Sequence, residues 1–159
     1  MIRLVLVATL LIGCRTSLET AVDAAEGVGC KVDTTAACMA AETHSDLAWI
    51  EQNIFVPSCA FSGCHSSRTD LGKLDLRSGM SHNSLVGVSS TLDTTRKLVV
   101  AGDIQSSYLM LMLHDFDPAL ATPPATTPSV GYMPQGAPIL CCQKLQAVER
   151  WITAGAPAN

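Results

Sequence analysis

A chain of 159 residues holds one domain plus export and spacer segments and is too short for two ordinary domains. Its formal charge of −4, with no run of Lys or Arg beyond the extreme N-terminus, excludes the electrostatic footprint of a nucleic-acid binder. The apolar content of 48% is ordinary for a globular protein, but aromatic residues at 4% are thin for such a core, a deficit that a buried prosthetic group would fill.

The chain opens with one Arg, an apolar run from Leu4 to Ile12, and then Gly13-Cys14. The run is too short to span a bilayer and has the form of a secretory h-region. Leu11-Ile12-Gly13-Cys14 looks like a bacterial lipobox, in which cleavage before a lipidated cysteine needs a small residue before the cut and a thiol after it. We therefore expect a lipoprotein signal peptide over 1–13 and a lipid anchor on Cys14, facing the periplasm or the cell exterior. The alternative is an ordinary signal peptide cut near Ala21, Ala24 or Ala25. Arg15 does not look like an inner-membrane retention signal, so resemblance to other lipoproteins favours the outer membrane.

Residues 14–44 are rich in Ala, Thr, Asp, Glu and Gly and read as a flexible tether carrying a disulfide option through Cys30 and Cys38. From residue 45 to 159 the pattern is that of a folded domain. Ser45 can cap a helix with Leu47, Ile50 and Ile54 on one face and Trp49 widening it, stopped by Pro57. Residues 66–102 are loop-rich, with a short helix expected around Ser81–Val86 and an extended run at Leu98–Val100. Asp103 or Ser106 can cap a helix through Tyr108–Leu113, apolar on every side and so buried. A Pro- and Thr-rich loop follows from Asp117 to Ser129. The last helix, about Leu140–Thr153, sets Cys141, Leu145, Val148 and Ile152 on one stripe with Trp151 beside it, and Gly155 then Pro157 end it.

Between the first helix and the loops stands Cys59-Ala-Phe-Ser-Gly-Cys64-His65. Two thiols followed at once by an imidazole are what covalent attachment of c-type haem requires: each thiol closes a thioether on one vinyl group, and the imidazole is the proximal iron ligand. The usual spacer is two residues; here it is four. For the distal ligand the pattern favours Met133, in Gly131-Tyr132-Met133-Pro134-Gln135-Gly136, where flanking glycines allow a close loop. Met110 and Met112 read as core, and His44, His82 and His114 are the bis-histidine alternatives. A zinc site on Cys59, Cys64 and His65 would need a fourth ligand from Cys141 or Cys142.

Seven cysteines suit an oxidising compartment. With Cys14 lipidated and Cys59 and Cys64 on haem, Cys30, Cys38, Cys141 and Cys142 pair in three ways. Pairing Cys30 with Cys38 would force a strained vicinal bridge on Cys141-Cys142; cross-pairing ties the N-terminal segment to the last helix.

These segments resemble the planctomycete-type single-haem c-type cytochrome domains of exported bacterial proteins. The resemblance runs from about Ile54 to Pro157, through IFVPSCAFSGCH, LGKLDLRSG, SLVGV, VVAGDIQSSYLMLML, YMPQGAP and WITAGAP. It implies an all-α, small cytochrome c-like helical domain around one covalent haem c, with long loops. Cys59 and Cys64 would hold the haem, and His65 and Met133 its iron. The four-residue spacer and Cys141-Cys142 depart from the family pattern. The implied function is outer-sphere electron transfer to a redox partner protein, without enzymatic turnover. The alternatives are a haem-based sensor or binder of small ligands, and a haem-free, disulfide-stabilised surface lipoprotein.

Overall fold

The structure, a computed structural model, describes residues 29–67, 69 and 71–159. The expected signal peptide over 1–13, the lipidation site Cys14 and the first part of the tether lie outside the described residues.

Residues 30–44 belong to the folded body, which corrects the expected extent of the tether. The alanine-rich stretch Ala36–Ala41 forms a short helix, α1, as the high helix propensity of Ala allows. Its anchor is covalent: Cys30 bonds Cys142 and Cys38 bonds Cys141, with Cα–Cα distances of 5.0 and 6.3 Å that fall in the ordinary disulfide range. The cross-pairing is thus the observed one. Arg150 adds a polar clamp by donating from one guanidinium nitrogen to the carbonyls of Ala41 (2.6 Å) and His44 (2.8 Å), which satisfies acceptors at the C-terminal end of α1.

The next helix is continuous but changes pitch. Leu47–Ile50 (α2) is followed by a π-helical stretch, Glu51–Phe55, and by Val56–Ser58 (α3). Two local expectations are corrected. Asp46, not Ser45, caps the start, its carboxylate accepting from the Trp49 N–H at 2.8 Å. Pro57 does not stop the helix: it lies in the first turn of α3, and the helix runs on to Ser58. The wider π turn re-aims the buried face, so that Phe55 joins Leu47, Ile50 and Ile54 in the core. Glu51 turns inward as well, and its carboxylate accepts from the Gly79 N–H (2.7 Å), the Ser81 N–H (3.3 Å) and the Ser81 hydroxyl.

Ser81–Leu85 forms α4 and Tyr108–Met112 forms α5. Between them the extended segments are joined by isolated bridges, Val86 with Val99 and Lys97 with Ser107 among them. Asp103 binds the Ser106 N–H and hydroxyl, at 3.0 and 2.7 Å, and so shapes the turn before α5; the cap position itself is Ser107. Every side chain of α5 is buried, Met110 and Leu109 in the main core and Tyr108, Leu111 and Met112 in a second cluster. The proline-rich loop is pinned by buried Arg96, which donates to the carbonyls of Pro123 and Pro124 and pairs with Asp93 at 2.9 Å.

Cys142–Thr153 forms α6, the axis of the core. Leu145, Val148, Trp151 and Ile152 are all 2% exposed or less. The chain end folds back over it: the Trp151 indole N–H donates to the Pro157 carbonyl at 2.8 Å, and the Asn159 carbonyl accepts from the Leu47 N–H at 2.9 Å.

Candidate cofactor site

The site grows from the end of α3. The Phe55 carbonyl accepts from both the Cys59 and Ala60 N–H groups, at 2.8 and 2.9 Å, which fixes Cys59 against the core. The four-residue spacer then makes a turn: the Cys64 N–H reaches the Phe61 carbonyl (2.9 Å), Gly63 takes a left-handed φ of 80°, and the His65 N–H returns to the Cys59 carbonyl (3.2 Å). The left-handed φ favours glycine there. The longer spacer therefore brings His65 back beside Cys59 and leaves Cys64 further out.

Two cavities of about 80 Å³ each adjoin this turn. The inner one is apolar, lined among others by Leu74, Leu76, Leu109, Met112 and Leu113. The outer one is bounded by Phe61, Cys64, Leu71 and Pro134. Cys59, His65 and Met133 line both. Met133, 68 residues beyond His65 in the chain, is held there by its N–H, which donates to the Met112 carbonyl at 2.7 Å. The loop that carries it is braced by the Gly131 N–H on the Pro128 carbonyl (2.9 Å), by the Gln135 amide on the Val130 carbonyl, and by Tyr132 stacked on His114 at 3.8 Å.

The His65 ring is oriented by its Nδ1, 2.9 Å from the Leu71 carbonyl. A carbonyl only accepts, so Nδ1 is the donor in this bond, the arrangement in which a ligating histidine presents Nε2. Cys59 and Cys64 are outside any disulfide. Burial in apolar surroundings pushes the Cys59 thiol up to about 12, nearby Cys64 adds to this, and Lys144 opposes it. Such a thiol is a poor nucleophile and a poor redox sensor. A thioether at the same position is uncharged and carries no such desolvation cost.

The alternative ligands lie elsewhere. His44 stacks on Trp49, His82 Nε2 is 3.1 Å from the Ala156 carbonyl, and His114 stacks on Tyr132; none of the three lines either cavity. Met110 is fully buried in the core. Met112, expected to be core only, also lines the inner cavity; the all-round apolar character of α5 hid which of its faces meets the site. The zinc reading is corrected: Cys141 and Cys142 are in disulfides, and among the described residues no three His, Cys, Asp or Glu side chains converge to hold a metal ion. Haem iron takes four nitrogens from its porphyrin and would ask the protein for two ligands only, for which His65 and Met133 are the candidates.

Comparison with known proteins gives no match to a protein family, a curated protein or a solved structure. Two disulfides join the described residues, and none of their helices is long and apolar enough to cross a membrane. Both are compatible with export into an oxidising compartment.

Proposed function

We propose that this domain is a c-type cytochrome, an electron carrier with one haem c held through Cys59, Cys64, His65 and Met133 and tethered to a membrane by lipid on Cys14. The observation that carries the reading is the meeting of Cys59, His65 and Met133, from two distant segments, on the walls of both cavities. Bound haem would supply a reversible one-electron couple at its iron. The chain's residues do the rest. The Leu71 carbonyl orients the His65 imidazole, the Met112 carbonyl holds the Met133 loop, and the apolar wall of Leu74, Leu76 and Leu109 excludes water. Those walls stand close: each cavity of about 80 Å³ is well below the about 300–1,000 Å³ of a small-molecule pocket, so admitting a porphyrin requires the 59–73 and 131–136 segments to part.

The redox partner is a protein met by outer-sphere contact, and the reading assigns no catalytic turnover to the domain. The test is a pyridine haemochrome spectrum and a mass spectrum of the mature protein from a host able to attach haem c. Covalent haem and a low-spin spectrum that His65→Ala abolishes are expected. Colourless protein with Cys59 bonded to Cys64 overturns the reading. Carbon monoxide added to reduced protein separates the carrier from a ligand sensor: an unchanged spectrum indicates that Met133 fills the sixth position, and a shift indicates an open one.

The two disulfides and the narrow cavities favour a second reading, a haem-free surface lipoprotein stabilised by cross-links. The same mass spectrum decides between them.

A further inference from the structure

We infer that the haem-free protein binds Cu(I), a soft monovalent cation, between the Cys59 sulfur, the His65 imidazole and the Met133 thioether. These are the three side chains shared by the two adjoining cavities. A thiolate, an imidazole and a thioether are the donor types that select copper in its lower oxidation state over harder ions. The inference uses the residues of the proposed haem site but not the haem; thioether formation at Cys59 would consume one donor, so cation and porphyrin exclude one another.

Charge and size both narrow the occupant. No Asp or Glu lines either cavity among the described residues, and Cys59 is the one donor of the three that can become anionic. A monovalent cation on that thiolate forms a neutral pair, which lowers the cost of burying it beside the leucines. The cavities, at about 80 Å³ each, accept a single ion without the chain having to part. Preorganisation comes from backbone contacts already described: Phe55 holds Cys59, Leu71 orients His65 and Met112 holds Met133. Met112 lines only the first cavity and Cys64 only the second. In the binding step the Cys59 S–H bond breaks, its proton passes to solvent and a sulfur–copper bond forms. No electron is transferred.

The test uses the full chain exported by a host that lacks the haem-attachment machinery, with the absence of haem verified by mass. Cu(I) is supplied anaerobically and competed with a bathocuproine chelator. One Cu(I) retained per chain is expected, with X-ray absorption showing both sulfur and nitrogen ligands. His65→Ala and Met133→Leu should each weaken retention by at least about tenfold, as loss of even an outer-shell partner can, while Met110→Leu should leave it unchanged. Complete transfer of copper to the chelator by the parent protein overturns the inference. So does retention insensitive to Met133→Leu with a sulfur-only spectrum, which would assign the ion to the two thiols alone. Copper-binding but permanently colourless protein sinks only the cytochrome reading; coloured protein whose haem-free form releases copper sinks only this one.

Discussion

Lys144 on α6 donates from Nζ to the carbonyl of Asn53 at 3.0 Å. That carbonyl lies four residues before Pro57, which has no N–H to offer it. The side chain of one helix thus supplies a donor that a proline withholds in another, at the segment that delivers Cys59. Lys144→Met keeps the aliphatic stem and removes the donor. It should cost about 1–2 kcal/mol in chemical denaturation. Because Lys144 eases ionisation of the Cys59 thiol, the same variant should also slow alkylation of Cys59 by iodoacetamide in the haem-free protein.

Glu51→Ala removes a buried acceptor from the Gly79 N–H, the Ser81 N–H and the Ser81 hydroxyl together. Loss of about 3 kcal/mol is expected, because three donors are left without their acceptor. Glu51→Gln, which keeps one of the two accepting oxygens, should lose less, and equal losses for the two variants would refute the assignment.

The two disulfides join the same pair of segments, so their contributions should not add. With Cys30–Cys142 intact, Cys38–Cys141 closes only a short ring, worth about 3 kcal/mol on the chain-entropy account. Once it is gone, breaking the second releases a sequence separation of 112 residues, worth nearer 4.7 kcal/mol on the same account. Denaturation of the Cys38→Ser/Cys141→Ser variant and of the fourfold serine variant should show a larger loss in the second step.

Asp115 is buried at the end of α5, and its carboxyl is held far above the usual carboxylate range, to about 8, first by burial and then by the neighbouring Glu149. In the unfolded chain it titrates near 4. Between these values the folded state binds more protons at this site, so the contribution of Asp115 to stability is fully present below about pH 4 and is lost as pH rises towards about 8. Asp115→Asn should remove that decline. Its thermal midpoint should exceed the parent's most at pH 8, with the gap closing towards pH 4; parallel curves would be the opposing result.

Sequence periodicity identified α2 and α6, each with an apolar stripe, while α5 was legible as an unbroken apolar run. The stripe through Leu145, Val148 and Ile152 is buried as its spacing predicts. α1 was missed because Ala36–Ala41 has no apolar period, only alanine's propensity and cysteines whose partners are more than 100 positions away. Pro57 misled because a proline ends a helix only where its missing donor and ring clash go uncompensated, and here a wider turn and Lys144 accommodate it. Of the site residues expected from the sequence, the structure brings Cys59, His65 and Met133 to the walls of both cavities and Cys64 to one of them. The inner role of Met112 is not legible in the sequence, since a helix apolar on all faces gives no phase.

Both cysteines that secure α1 stand at the very start of the final helix. The thiols of Cys30 and Cys38 consequently have no native partner until residues 141 and 142 have been synthesised. A chain truncated before residue 141 cannot be cross-linked to the native topology.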